Sequence, residues 1–324
     1  MSDAAKPARP RLLLVAPVYN EEQVVGTFLE RVLAVAPQLD LVGLVLVDDG
    51  SQDGTCAAVA EFQRRTRAAL RLRLVRLSRN FGHQNAVLAG LATAHDWARR
   101  EDVPLVALMD ADLQDRPEHL VDLAHAMDAA DVAYAVRARR GETLVFRLLA
   151  RVFHLALARM SRLPIPQDAG TFSVMRTSVA RVLLDNADQS PYFPGIRAWV
   201  GFRQVGLPLD RDARYAGSSR VGAVGLVKLA LGALLGYSDM PLRLMALLGV
   251  VTILVSTAAA ASMIVLRLMG LVKVQGTALI LVSIFFSLGV QSVYLMLLAY
   301  VIGRAALESS RKRPFVVMSE EEVA

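Results

Sequence analysis

The same unit occurs four times in the first third of this chain: an apolar run, a polar turn and then a helix-like stretch. The apolar runs are residues 12–16, 41–47, 72–77 and 103–109. Strands that alternate with helices in this way predict an α/β fold with a mainly parallel sheet and crossover helices. Because parallel strands end at the same edge, the turns that hold Asn20, Asp49, Asn80 and Asp110 should meet there.

Two carboxylates, Asp110 and Asp112, follow the fourth apolar run directly. Carboxylates this close repel each other unless a cation lies beside them, and hard oxygen ligands suit Mg²⁺ or Mn²⁺ together with substrate phosphates. The pattern therefore favours a metal–diphosphate site. An alternative interpretation is a polar turn before a helix that begins near Pro117, with Asp115 as the N-cap.

Hydrophobic residues make up 54 % of the chain, which is at the top of the range for soluble proteins. Most of the excess over an ordinary soluble protein lies in the C-terminal third. Residues 244–266 and 274–303 contain no charged side chain. As a helix, the first of these runs would span about 34 Å, which is enough for one bilayer crossing. The basic residues that flank this pair of runs outnumber those between the runs: they are Arg220, Lys228 and Arg243 before it and Arg304, Arg311, Lys312 and Arg313 after it, against Arg267 and Lys273 between. The positive-inside rule then predicts a multi-pass protein of a bacterial-type inner membrane, with both ends cytosolic.

These patterns predict the domain organisation. We expect a cytosolic catalytic domain at residues 1–220, a juxtamembrane helix at 221–240, a two-helix transmembrane hairpin at 241–304 and a cytosolic tail at 305–324. Residues 144–163 read as an amphipathic helix, which either lies in the membrane interface or packs on the sheet. The single Cys56 excludes a disulfide framework and a zinc cluster.

Four ordered motifs carry a family resemblance, and they occupy the four polar turns. They are Pro17-Val18-Tyr19-Asn20-Glu21, Asp48-Asp49-Gly50-Ser51, Asn80-Phe81-Gly82 and Asp110-Ala111-Asp112-Leu113-Gln114. The set resembles the family-two inverting glycosyltransferases with the GT-A fold. Segments at residues 193–202 and 211–220 resemble, within that family, the transferases that act on dolichyl or undecaprenyl phosphate. The resemblance implies a GT-A domain followed by two transmembrane helices.

The resemblance also implies roles for individual residues. The residues implied for the nucleoside are Pro17, Tyr19, Glu21, Val47 and Asp49. Those implied for the diphosphate are Asp110, Ala111, Asp112 and Arg137, and those implied for Mg²⁺ or Mn²⁺ are Asp112 with Asp110 and Gln114 near it. Asp110, Asp112, Arg137, Arg214 and Arg220 are the implied catalytic set.

The acceptor side departs from the family pattern at two positions. Arg214 and Arg220 suit an acceptor phosphate, because a guanidinium matches phosphate geometry in a fork, although attraction to anionic lipid headgroups is an alternative. Thr171, an implied substrate contact, stands where many members have Asp or Ser, and Ser173 stands where they usually have Arg.

The expected function is metal-dependent, inverting transfer of a hexose from a nucleotide-diphosphate sugar to a polyprenyl phosphate at the cytosolic membrane face. The expected partners are that donor, that acceptor and the lipid bilayer, with no nucleic acid and with homo-oligomerisation left open. Two alternatives stay open: a transferase for another lipid or a polysaccharide, and a non-catalytic membrane subunit that binds nucleotide sugars.

Overall fold

The computed structural model describes residues 11–66, 69–137, 169–187, 193–212, 240–270, 277–309 and 314–323. The predicted amphipathic helix at 144–163 lies outside these residues. The predicted juxtamembrane helix does too, apart from Met240. Arg214 and Arg220 are also outside the described part of the chain.

One mixed sheet organises the described part of the chain outside the two long C-terminal helices. Its strands are β1 (Arg11–Val18), β2 (Asp40–Asp48), β3 (Leu72–Leu77), β4 (Leu105–Leu108), β5 (Val132–Arg137), β6 (Ala169–Arg176), β7 (Gln204–Leu209) and β8 (Val317–Val323). Their spatial order is β7-β5-β6-β4-β1-β2-β3-β8. The first four strands are mutually parallel, as are β5 and β7, whereas β6 runs antiparallel to β4 and β5. The predicted α/β fold with a mainly parallel sheet is confirmed.

Short helices cross between the strands. They are α1 (Val25–Val35), α2 (Thr55–Thr66), α3 (His83–Glu101), α4 (His119–His125), α5 (Thr177–Asp185) and α6 (Phe193–Trp199). The turns after β1 to β4 each follow the carboxyl end of a strand, so these four turns share one edge of the sheet. This is the edge at which the sequence predicts the site.

The central strands of the sheet are buried on both faces, which explains why they are continuous apolar runs. Along β1, Leu12, Leu14 and Ala16 belong to the core that includes α1 and α4. On the other face α3 comes so close that a Cβ atom at Gly90 would lie 2.3 Å from Val15 Cγ1. A glycine is needed at this position for packing, because the helix backbone lies directly on the strand.

Two matched glycine substitutions test this packing. Gly90→Ala should lower the free energy of unfolding by about 1–3 kcal/mol, since the added methyl group overpacks the core against Val15 and Val47. Gly26→Ala, in α1 with no atom within 4 Å of the added Cβ, should instead stabilise by roughly 0.5–1 kcal/mol through helix propensity. Thermal and denaturant unfolding measure both, and equal effects of the two changes would contradict this account.

The chain divides into two compact units, and residues 229–312 make up most of the second. Within the described residues it contains α7 (Met240–Leu268, 29 residues) and α8 (Thr277–Ser309, 33 residues). In α8, Phe286–Gly303 is long and apolar enough to cross a membrane, and α7 contains a shorter apolar stretch, Gly249–Ala259. The two predicted long helices are therefore present, with one candidate span among the described residues.

Strand β8 is a feature that the sequence analysis missed. It lies in the stretch predicted as a cytosolic tail, and it pairs antiparallel with β3. Arg73 Nη1 lies 3.2 Å from Glu320 Oε1, and Gln63 Nε2 donates to the Val323 carbonyl oxygen at 2.8 Å. The chain therefore returns from its two long helices to the sheet from which it came.

Candidate functional site

The turns after β1 and β2 are joined by reciprocal hydrogen bonds. The Asn20 N–H donates to Ser51 Oγ at 2.9 Å, and the Gln52 N–H donates to Asn20 Oδ1 at 2.8 Å. Asn20 has a φ of 52°, a left-handed conformation that asparagine tolerates better than most residues. Glu22 and Asp53 add to this connection: Glu22 Oε2 accepts from the Gly54 N–H, and Asp53 Oδ2 accepts from the Glu22 N–H.

Asp49 joins the turn after β2 to the turn after β3. Its two carboxylate oxygens accept the N–H groups of Phe81 and Gly82 at 2.7 and 2.9 Å. Burial raises the pKa of Asp49, and these two hydrogen bonds oppose the shift. The turns pack so closely that a Cβ at Gly50, whose φ is +73°, would meet the Arg79 and Asn80 backbone at 2.6–2.8 Å.

Asp110 lies at the end of β4 between two basic side chains. Its Oδ1 is 3.4 Å from His83 Nε2, and its Oδ2 is 3.8 Å from Arg211 Nη2. Removal from water raises the pKa of Asp110; His83 opposes this shift, Asp112 and Asp115 add to it, and Arg211 opposes it. The carboxylate is thus held in a place where a further positive charge would stabilise its ionised form.

The loop of Asp110, Asp112 and Gln114 fits a divalent cation in one specific respect. Asp110 Oδ1 is buried and accepts no hydrogen bond within the described part of the chain. Asp112 Oδ1 accepts the Gln114 N–H at 3.1 Å, which fixes the turn that follows Asp112. Among the described residues, however, no group of three or more His, Cys, Asp or Glu side chains is arranged to hold a metal ion. A cation here would need other ligands, such as substrate phosphates and water.

The alternative interpretation of Asp115 as a helix N-cap is wrong. Helix α4 begins later, at His119, and its N-cap Glu118 makes no capping hydrogen bond through its side chain. Asp115 is only 6 % exposed, and its carboxylate accepts a fork from Arg211, with Nε–Oδ1 2.6 Å and Nη2–Oδ2 2.7 Å. Asp115 and Arg211 therefore form a forked, hydrogen-bonded pair at the edge of the site.

The other predicted site residues lie along the same edge where the structure describes them. Pro17 and Val47 are partners at the ends of β1 and β2. Tyr19 and Glu21 follow in the turn after β1, and Ala111 is buried next to Asp110. These placements agree with the order of the motifs, and the roles of the residues stay predictions.

Arg137 and Thr171 lie on the neighbouring strands. Arg137 is the last residue of β5, and Thr171 is near the start of β6, which runs antiparallel to β4 with Ser173 opposite Leu108. The carboxyl end of β5 and the start of β6 therefore share the edge of Asp110. Ser173, where the family has arginine, is fully buried and donates through Oγ to the Thr171 carbonyl oxygen at 2.9 Å.

Three basic residues of this region were missed by the sequence analysis. The sequence analysis predicts no site role for His83, yet its Nε2 lies 3.4 Å from Asp110 Oδ1. Arg211 was noted only as part of a motif. Arg197 is 1 % exposed, donates through Nη1 to the Gly170 carbonyl oxygen at 3.1 Å and lies 4.1 Å from the centre of the Tyr134 ring. Two features of the sequence could have indicated these residues: His83 stands at the start of a helix-like stretch, and Arg211 lies three positions before Arg214.

Comparisons with known proteins cover nearly the whole chain. The sequence profile of the family described as "Glycosyl transferase family 2" matches residues 14–184. An uncharacterized glycosyltransferase of Synechocystis is 32 % identical over 312 residues, which is 95 % of each chain. A bactoprenol glucosyl transferase of Shigella phage SfV is 29 % identical, with 96 % of this chain and 99 % of the relative covered. An undecaprenyl-phosphate 4-deoxy-4-formamido-L-arabinose transferase of Edwardsiella ictaluri is 28 % identical, with 90 % and 88 % covered.

Proposed function

Because this chain belongs to glycosyl transferase family 2, we propose that it transfers a hexose from a nucleotide-diphosphate sugar to a polyprenyl phosphate. The reaction is inverting, depends on Mg²⁺ or Mn²⁺ and takes place at the cytosolic face of a membrane. The chain is a glycosyltransferase, and the proposal concerns its donor, its acceptor, its cation and its location.

The observation that carries the donor side of the proposal is the convergence of four turns at the carboxyl edge of the sheet. Asp49 accepts N–H groups from the next turn, and His83 at the start of α3 lies beside Asp110. Ligands of open α/β sheets bind at this edge. Glu21 and Asp49 supply hydrogen-bond acceptors for the ribose or the base, and the Asp110 loop faces the diphosphate.

A divalent cation at Asp110 and Asp112 would neutralise the charge that develops on the leaving diphosphate. The structural reason to place it there is Asp110 Oδ1, which is buried and accepts no hydrogen bond from the described residues. The protein's own part is to fix the loop: Arg211 holds Asp115, and the Gln114 N–H holds Asp112.

The proposal that the acceptor is a polyprenyl phosphate is supported by the names of two relatives and by the chemistry of a phosphate monoester. Two relatives are named for bactoprenol and undecaprenyl phosphate. A phosphate monoester has a second pKa of about 6, so it is largely dianionic at neutral pH and needs little activation by a base. Thr171 in place of a carboxylate is consistent with such an acceptor. Direct attack at the anomeric carbon inverts its configuration.

The membrane assignment is supported by the path of the chain. Helix α8 contains one candidate span, and the proposal requires α7 to form a second. Strands before α7 and after α8 belong to the same sheet. If the helices cross a bilayer, the chain must therefore return to its starting side, which requires an even number of crossings.

Product analysis tests this proposal. Full-length protein with Mg²⁺ or Mn²⁺ should move label from one radiolabelled nucleotide sugar into the organic phase only when undecaprenyl phosphate is present. An α-linked donor should give a β-linked lipid phosphate, which NMR of the product measures. Transfer to a polysaccharide alone would contradict the acceptor, an α-linked product would contradict a single displacement, and donor binding without turnover would indicate the non-catalytic alternative.

A further inference from the structure

We propose that Arg197 and Ser173 are positioning residues, which fix the backbone on both sides of Thr171 and so hold this predicted substrate contact in place. The inference rests on the proposed function, because that function makes Thr171 a contact of the acceptor. The hydrogen bonds that carry it are present in the structure independently of that function.

Strand β6 bulges at Thr171. Its pairing with β4 ends at Ser173. On the β5 side, Ser173 pairs with Tyr134. The next pair joins Ala169 to Val136, so the three residues 170–172 of β6 stand opposite one residue of β5. Bulges are common next to active sites, where they redirect a side chain. The strand pairs that the structure describes therefore do not fix the backbone at Thr171.

Two side chains hold the backbone where the strand pairs do not. Arg197 Nη1 donates to the Gly170 carbonyl oxygen at 3.1 Å, and Ser173 Oγ donates to the Thr171 carbonyl oxygen at 2.9 Å. The first carbonyl belongs to the peptide group that leads into Thr171, and the second to the peptide group that follows it. Because peptide groups are planar, fixing the direction of both carbonyls restricts φ and ψ of Thr171.

Arg197 is well placed for this role because it is itself held in place. Its side chain is 1 % exposed, and its guanidinium lies 4.1 Å from the centre of the Tyr134 ring. Its carbonyl oxygen accepts a hydrogen bond from Gln204 Nε2 at 2.6 Å, which joins the end of α6 to β7. Arginine is seldom buried to this degree, since removing its charge from water costs free energy. Its retention here indicates that its contacts, among them the Gly170 carbonyl, have a role.

Arg197 and Ser173 act from the same face of the sheet. Tyr134 and Ser173 lie directly opposite each other on antiparallel strands, so their side chains share one face. Arg197 lies against the Tyr134 ring on that face. An arginine at position 173, as in the family pattern, would bring a second positive charge close to Arg197, and like charges in a buried place repel. Ser173 and Arg197 therefore form a matched pair.

Thr171 lies where the buried part of β6 begins. It is partly exposed, whereas residues 172–175 are buried. This end of β6 shares the sheet edge of Asp110, because β6 runs antiparallel to β4. The conformation of the backbone at this point decides the direction of the Thr171 hydroxyl group relative to the site.

Single substitutions measure the positioning effect. Arg197→Met keeps a long apolar side chain but removes the donor, and it should raise the KM for undecaprenyl phosphate about tenfold with kcat within about twofold. Ser173→Ala removes one oxygen atom and should raise this KM about threefold, so it carries the test even if Arg197→Met fails to fold. Arg197→Lys keeps a charged donor and should recover part of the loss. Donor affinity, measured by calorimetry without lipid, should hardly change.

A change at Thr171 separates positioning from general damage to the fold. Thr171→Val keeps the branched shape and removes the hydroxyl group, and it should raise the KM for the lipid about tenfold. In this background Arg197→Met and Ser173→Ala should each add less than about twofold, because residues that act through one contact are not additive. A purely structural role would multiply the effects instead. Full multiplication, or a normal KM in Thr171→Val, would overturn the inference.

Arg176→Met is the matched control. Arg176 lies at the other end of β6, where it also donates to a main-chain oxygen, the Met127 carbonyl at 3.4 Å, and pairs with Asp131. Its contacts do not involve the backbone at Thr171. This change should therefore leave the KM for the lipid as it is.

Hydrogen exchange provides a readout that does not depend on the acceptor. In the full-length protein, Arg197→Met and Ser173→Ala should each speed amide exchange of peptides that cover residues 169–174 at least about threefold, whereas Arg176→Met should not. Unchanged exchange in the first two variants, or an equal rise in all three, would contradict the positioning role. If the original protein fails to use undecaprenyl phosphate, the proposed function fails, and the exchange data alone then decide whether Arg197 and Ser173 fix this backbone.

Discussion

Replacing Asp112 with asparagine should lower kcat by about 100- to 1,000-fold, a size typical for the loss of a group that stabilises charge in a transition state. The amide keeps the shape of the side chain, and its oxygen can still accept the Gln114 N–H that Asp112 Oδ1 accepts at 3.1 Å. The loop should therefore fold as before while the carboxylate charge is lost. Steady-state kinetics with the labelled donor measure the effect, and thermal unfolding checks the fold.

Asp128→Asn is the matched control, because Asp128 is an exposed carboxylate that follows α4 and precedes the amino end of β5, whereas the site lies at the carboxyl ends of the strands. It should leave kcat unchanged. Excess chelator should abolish turnover of the original protein, and added Mg²⁺ or Mn²⁺ should restore it. Full activity of the protein in chelator, or of Asp112→Asn without it, would mean that the two carboxylates are structural.

Asp49→Ala should affect both stability and donor binding. Asp49 is 3 % exposed, and its carboxylate satisfies two backbone N–H groups. Leaving these groups without an acceptor should cost about 2–4 kcal/mol, or a fall of roughly 5–10 °C in the melting temperature. The Phe81–Gly82 turn that Asp49 holds leads directly into α3, and Asp49 is itself a predicted nucleoside contact. Donor affinity should therefore fall at least about tenfold.

The exposed Asp96 of α3 provides the comparison, since Asp96→Ala removes a carboxylate without a buried backbone partner. Calorimetry with the nucleotide sugar and thermal unfolding should both be unchanged in this control. A destabilised Asp49→Ala protein with normal donor affinity would restrict Asp49 to a structural role and remove it from the predicted nucleoside site.

The central strands could be predicted from the sequence because burial on both faces turns them into apolar runs. Strand β3 has the predicted bounds, and β1, β2 and β4 differ from the predicted runs by one or two residues at their ends. The edge strands lack this signal. Strand β7 contains Gly206 and Pro208 with a largely exposed pattern, and β8 contains three consecutive glutamates. Edge strands are held by backbone pairing, which side-chain periodicity does not report.

The candidate site was predicted in the same uneven way. Residues that follow strand ends, such as Asp49 and Asp110, were found because local motifs and parallel topology place them together. Contacts made across the fold were missed, since nothing near Asp115 in sequence indicates that Arg211 is its partner. The helix-cap interpretation of Asp115 failed for this reason: a local pattern competed with a tertiary ion pair that local reasoning does not include.

The pairing of β8 with β3 has a consequence for how the protein is made. During synthesis β3 leaves the ribosome early, whereas β8 follows only after both long helices. Until then β3 is an open edge whose unpaired N–H and C=O groups could pair with a strand from another chain. The basic side chains Arg71, Arg73 and Arg76 along that edge discourage such pairing by their charge, and two of them later lie near Glu320 and Glu322. Strand β8 can therefore cover the β3 edge of the sheet only after both long helices have been synthesised.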